Sequence, residues 1–250
     1  MRPAIVAVLI AVATVPALPA TAAPPAAAAS PAALKLAERL EAVAEPHAAL
    51  VATNYAAWEA TLRRTLSLEP NVAKLEATYP GVTEAAVEAA RPAGRAYCDT
   101  FVTRAAALRA QVYAGALTEA ELRQVIAFLE TPAAQRVIHR MLANTSGTAL
   151  VDQVARQAVS EGKVTITADQ ARQLNQEAAT RTVREISADD QVAFLRFNQS
   201  EAGKKYITAR ATSEQLILDM INHQDPAEAQ AQQRAMQAAI LAYIDRKKAR

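Results

Sequence analysis

Leu117-Thr118-Glu119-Ala120-Glu121-Leu122, continuing to Ala127-Phe128-Leu129-Glu130-Thr131-Pro132-Ala133-Ala134-Gln135-Arg136, holds two helix starts 13 residues apart. Thr118 stands at an N-cap, and Glu121, three residues on, reaches back as the second half of a capping box. Leu122, Val125, Ile126 and Leu129 then fall on one face at i, i+3, i+4 and i+7. Thr131-Pro132 opens the next helix at once, a capping hydroxyl followed by proline at the first helical position. Ala134, Val137, Ile138 and Met141 form its apolar side. This predicts a helical hairpin over 117–142 with a sharp corner after Phe128.

The same plan recurs 69 residues later. Ser187 takes the place of Thr118, Asp190 that of Glu121, Phe197 that of Phe128, and Ser200 that of Thr131. Gly203 matches Ala134 and Lys205 matches Arg136, so a second hairpin is expected over 186–211. The pattern has a packing logic. The Phe needs a cavity at the corner, the small residue lets two helix ends approach, and each cap satisfies N–H groups that the helix leaves over. We read the two segments as an internal duplication.

The first copy resembles the signature of an exported bacterial family, domain of unknown function 2059: Phe/Leu-Thr, an acidic pair and Leu, then Phe-Tyr, Ser-Pro, Gly and Lys. Here Leu129 stands in place of the Tyr, Ala134 in place of the Gly and Arg136 in place of the Lys. In the second copy Phe197, Ser200, Gly203 and Lys205 fit, while Glu201 takes the place of Pro. The resemblance implies an all-helical exported protein and brings no activity with it.

Outward from the hairpins, composition agrees. Glycine occurs only 6 times and aromatics make up 4% of the chain, while the strong helix formers, alanine above all, fill it. Val164–Thr167 is a β-branched cluster too short to imply a sheet. The expected class is all-α, a multi-helix bundle built around the two hairpins. Residues 1–22 read as a signal peptide: Arg2, an apolar stretch from Ala4 to Ala17, and Ala20-Thr21-Ala22 as the cleavage site. Residues 23–30 are a Pro/Ala linker, followed by a helical region at 31–145 and another at 146–250. Ser30-Pro31 and Asp225-Pro226 are further cap-proline starts. A long helical pattern from Thr83 to Tyr113 is expected to kink or break near Pro92 and Gly94, with Gly115 as its C-cap.

Charge excludes some partners. Without Arg2 there are 26 basic and 25 acidic residues, a balance that offers no field to nucleic acid or an anionic membrane. Cys98, the single cysteine, has no internal disulfide partner and is expected to be buried. His47, His139 and His223 lie far apart outside any metal-binding pattern. Asp219 and His223, four apart, read as a surface ion pair. Glu38, Glu41 and Glu45 read as a solvated face beside Lys35 and Arg39, and Asp189-Asp190 as a helix start. The sequons at Asn144 and Asn198 read as coincidence. Lys204 and Lys205, just inside a helix start, are the candidates for an anion site. No catalytic, metal or cofactor residue is expected.

The sequence therefore points to a non-enzymatic periplasmic or secreted protein that binds another protein or an envelope component, with homo-oligomers permitted. The alternative is a small-molecule or lipid module with its groove between the hairpins. A hydrolase, requiring Cys98 or a serine beside a histidine, ranks last.

Overall fold

The Ser30-Pro31 start behaves as its residues dictate, Ser30 Oγ accepting from Ala33 N at 3.0 Å to open α1, Pro31–Ala44. The computed structural model describes residues 29–145, 148–161, 164–223 and 226–249. The expected signal segment, most of the linker, Asp225 and Ser146 of the first sequon lie outside those residues, as do the side chains of Glu228 to Gln233. After α1 come α2 (His47–Leu68), α3 (Pro70–Thr78), α4 (Val82–Ala116), α5 (Glu119–Leu129) and α6 (Pro132–Asn144). Then follow α7 (Thr148–Glu161), α8 (Ala168–Glu185), α9 (Ala188–Gln199), α10 (Glu201–Asn222) and α11 (Pro226–Lys248). The protein is an all-α, multi-helix assembly, and Val164–Thr167 forms no strand; Thr167 instead caps α8.

α4 is the central post, packed against α1, α2, α10 and α11. At 35 residues it is roughly 50 Å long. Of the kink or break expected near Pro92 and Gly94, the break does not occur, and the helix ends at Ala116 rather than at a Gly115 cap. Pro92 removes one backbone hydrogen bond, a cost of about 3 kcal/mol in a helix interior. Burial on both sides of it offsets that cost: Ala86, Val87 and Ala90 pack with Trp58, Leu62 and Leu66, and Cys98 joins the same cluster beyond the proline. Gly94 serves packing rather than flexibility. A methyl group there would sit 2.4 Å from the buried Trp58 ring, so only glycine lets α2 and α4 close on each other. The helix stops at Leu117, whose extended backbone (ψ 143°) leads into the Thr118 cap. Gly81, with φ +95°, turns the chain into α4 in a conformation that favours glycine.

Further along α4, Phe101, Val102 and Ala105 enter a core with Leu150, Val154 and Ile217. Its last turns carry Ala110, Tyr113 and Ala114 into another with Leu40, Leu122, Val125 and Leu129. The consecutive helices α5 and α6 thus rest on α1 and α4, and α9 and α10 close over them, since α10 also packs along α4.

A candidate binding cleft between the two hairpins

Both corners are built from the same hydrogen bonds. In the first, Thr118 Oγ1 accepts from Glu121 N at 3.3 Å while Glu121 Oε2 accepts from Thr118 N at 2.8 Å, completing the capping box. At its corner the Phe128 carbonyl accepts from Thr131 N (2.9 Å) and Oγ1 (2.7 Å), and Thr131 Oγ1 accepts from Ala134 N (3.2 Å). In the second, Ser187 Oγ accepts from Asp190 N at 3.1 Å. The Phe197 carbonyl accepts from Ser200 N (3.0 Å) and Oγ (2.6 Å), and Ser200 Oγ accepts from Gly203 N (3.0 Å). The second corner is the tighter one, because a Cβ at Gly203 would meet the Phe197 carbonyl oxygen at 1.9 Å.

The hairpins then meet through the residues that define them. The Phe128 and Phe197 rings stack at 3.9 Å with 4° between their planes, and Phe194 meets Phe128 edge-on at 5.0 Å. Arg136 of the first hairpin grips Asp190 of the second through Nε (3.0 Å) and Nη2 (2.5 Å). Lys205 of the second donates to Glu121 of the first at 2.6 Å. Lys204 pairs with Glu201 at 2.9 Å, so both amines proposed for an anion site are already held by carboxylates. Arg136 holds the Asp190 carboxyl below the usual range, and Lys205 with the Thr118 amide does the same for Glu121.

Where the hairpins diverge from the Phe stack, a cleft of about 90 Å³ opens. Leu129, Val137, Ile138, Met141 and Leu142 form one wall, and Phe194, Phe197, Tyr206 and Ile207 face them. Ala44, Glu45, Asn198 and Arg210 complete the lining. The described residues include a wider, more open groove elsewhere, of about 660 Å³, along His47, Tyr55, Arg95 and Asp99. Its polar groups are engaged with one another, His47 lying 3.7 Å from Asp99 and Arg95 stacking over Tyr55 at 5.1 Å.

Behind the cleft lies a feature that the sequence reading placed wrongly. Glu41 and Glu45 are not part of a solvated face; only Glu38 of that trio is exposed. Both are buried, at 4% and 5% exposure, where α1 packs on α4 and its end meets Arg210 of α10. Arg109 of α4 donates to Glu41 and lies 2.8 Å from Glu45 Oε2. Arg210 of α10 donates to Glu45 (2.5 Å), to the Tyr206 hydroxyl (3.1 Å) and to Glu214 (3.2 Å). Three carboxyls therefore share two guanidiniums. Burial first, and then the Glu45 carboxylate, push the Glu41 carboxyl up to about 7 against the pull of Arg109. Burial likewise lifts Glu214 to about 7 despite Arg210. Glu41 Oε2 accepts no hydrogen bond from the described residues, as an acid short of partners must. One signal for this cluster was present in the sequence: Glu41 and Glu45 follow Ala37 at four-residue steps, on the stripe that buries Leu40 and Ala44.

The other candidate groups are placed without ambiguity. Cys98 is fully buried beside Val87 and Ala90, and burial pushes its thiol up to about 12, away from nucleophilic use. His139 is exposed on α6. His223 contacts the backbone carbonyl of Asp219 at 2.7 Å through Nδ1, whereas the Asp219 carboxylate accepts from Gln215; the expected ion pair gives way to a helix-end contact. Among the described residues, no group of three potential metal ligands converges, and no helix is long and apolar enough to cross a membrane.

Residues 104–161 match the family described as an uncharacterized protein conserved in bacteria, domain of unknown function 2059, which is the family the hairpin motif resembles. The match runs from the second half of α4 to the end of α7 and so contains the first hairpin. No curated protein and no solved structure matches the chain.

Proposed function

We propose, for a chain whose residues 104–161 carry this bacterial domain of unknown function, a non-enzymatic binding role in the cell envelope. Its binding site is the cleft between the two hairpins, and it takes the apolar part of a small molecule or lipid. Export is the role of the signal-like residues 1–22, with their basic start, apolar run and small-residue end. The observation that carries the reading is the lining of the cleft: Leu129, Val137 and Met141 from one hairpin face Phe197 and Ile207 from the other. An engineered apolar cavity of about 150 Å³ holds a benzene ring. A cleft of about 90 Å³ therefore suits a group of roughly three or four carbons, with the remainder of the ligand leaving through the mouth.

Native mass spectrometry of protein purified gently from bacterial envelopes tests this, alongside xenon NMR, xenon being small enough for the cleft. Adducts and a xenon exchange shift are expected, and both disappear in Ile207→Phe, which narrows the cleft while the melting temperature holds. Absence of adducts and of xenon binding in the unaltered chain refutes the reading.

A protein partner is the second reading, favoured by Val192 and Leu195 of α9, which are 43% and 56% exposed on the helix that supplies Phe194 and Phe197 to the cleft. Capture of one reproducible envelope protein, lost in Leu195→Lys, supports that reading over the first.

A further inference from the structure

The contacts between hairpins are reciprocal. With the 69-residue offset, Glu121 corresponds to Asp190 and Arg136 to Lys205. The acid of the first hairpin binds the base of the second (Glu121 with Lys205), and the acid of the second binds the base of the first (Asp190 with Arg136). Phe128 stacks on its own counterpart, Phe197. Exchange of partners between equivalent positions, together with self-contact at one position, is the mark of an isologous, two-fold interface. The cleft obeys the same relation. Leu129 and Asn198 are equivalent positions, and so are Val137 and Tyr206, Ile138 and Ile207, and Met141 and Arg210; all eight line it.

The equivalent walls differ in chemistry. Leu129, Val137 and Met141 are apolar, whereas their counterparts are an amide, a phenol and a guanidinium. The guanidinium is not a free cation, because Arg210 is committed to Glu45, Tyr206 and Glu214. Behind it stand three acids, Glu41, Glu45 and Glu214, against two bases, Arg109 and Arg210. The polar wall thus fronts a cluster with one carboxyl in excess. A second anion brought there would meet like charge in a poorly solvated place, and a cation would supply the missing partner.

We infer that the two hairpins pair about a local two-fold axis passing through the cleft, and that divergence of one wall has made the cleft a site for a small amphipathic amine. Its carbon chain lies on Leu129, Val137 and Met141, and its ammonium faces Glu45 beside Arg210. The inference rests on the binding role proposed above and adds to it the class of ligand. Ammonium binding releases the proton that the surplus carboxyl otherwise holds.

The test uses the full chain and three probes with the same four-carbon tail: butylamine, butanol and butyrate. Binding is read from the Met141 methyl resonance in methionine-labelled protein. One pKa unit of charge coupling corresponds to about tenfold in affinity, so butylamine is expected to bind about tenfold tighter than butanol, with butyrate weakest. Glu214→Gln, which alters the charge count without touching the lining, brings amine and alcohol to parity. Glu41→Gln serves as a second variant should the first fail to fold. Calorimetry of the unaltered chain in buffers of different ionisation enthalpy shows proton release with the amine alone. Equal binding of amine and alcohol, or an amine preference that survives both substitutions, overturns the inference and leaves the cleft as an apolar site. Failure of every probe to move Met141 sinks the binding role itself.

Discussion

Changing the pH from 8 to 5 is expected to stabilise this fold, where its surface ion pairs alone dictate a nearly level profile. Glu41 has an ordinary value of 4.5 when unfolded and about 7 when folded. Between those values the native state holds more protons than the unfolded one, so stability falls as pH rises through the window. At 1.36 kcal/mol per pKa unit, Glu41 alone contributes a ceiling of about 3 kcal/mol. Glu214, raised in the same direction to about 7 by burial, contributes with the same sign. The depressed carboxyls, Asp190 and Glu121 among them, shift downward from 3.8 and 4.5. Their contribution is complete above pH 5 and is lost only in stronger acid. Urea unfolding followed by circular dichroism at pH 5, 6, 7 and 8 measures the slope. Glu41→Gln is expected to flatten it and to raise stability at pH 8, because the amide does not have to be ionised in the interior. Comparison of the two chains cancels the groups they share. A wild-type stability that is level or rising from pH 5 to 8, or a slope unchanged in Glu41→Gln, refutes the assignment of a surplus buried acid.

Other outcomes follow from packing. A double-mutant cycle of Phe128→Ala with Phe197→Ala, read by urea unfolding, is expected to show a coupling of about 0.5–1.5 kcal/mol, the range for aromatic pairs; strict additivity contradicts the stack. Gly94→Ala drives a methyl group into Trp58 and is expected to lower stability by about 1–3 kcal/mol while shifting tryptophan fluorescence. The Cys98 thiol is expected to be inert to thiol reagents in the native protein and to react at once in denaturant, as ordinary titration with an aromatic disulfide shows.

The sequence revealed what local chemistry decides. Ser30, Thr118, Thr131, Ser187 and Ser200 all cap helices where a hydroxyl precedes an apolar period. Each such signal lies within four residues of its partner. Two of the larger failures depend on distant partners, although the Asp219–His223 pair and the Gly115 cap were missed at close range. Pro92 and Gly94 read as a kink or break because Trp58, the ring that needs the missing Cβ, is on another helix. Glu41 and Glu45 read as solvated because the bases that hold them are 68 and 165 positions away. The cleft was legible only as a question about the space between the hairpins, since the pairing of equivalent walls depends on how two helical corners dock.

The buried cluster also bears on which part of the molecule is under functional demand. A set of ion pairs removed from water is weak support for stability, and well-packed apolar residues of similar volume often do better. This chain has no shortage of apolar residues, at 52% of its length, and fills the equivalent of Arg210 with Met141, which packs with Val137 and Ala178. The first hairpin therefore shows that the position works when it is apolar. The second hairpin puts an arginine there, held by Glu214 of α10 and by Glu45 at the end of α1, while Glu41 shares Arg109 with Glu45. A stabilising role alone does not account for that departure, because the apolar solution is already in use 69 residues earlier. Arg210→Met makes the comparison directly. Because removal of the guanidinium alone leaves three acids against the single base Arg109, the informative variant carries Glu45→Gln and Glu214→Gln with it. If the cluster serves binding, this triple variant is expected to unfold no more readily than the unaltered chain at pH 8 and to lose the preference for amine over alcohol. A triple variant that keeps that preference shows instead that the charges are incidental to the cleft.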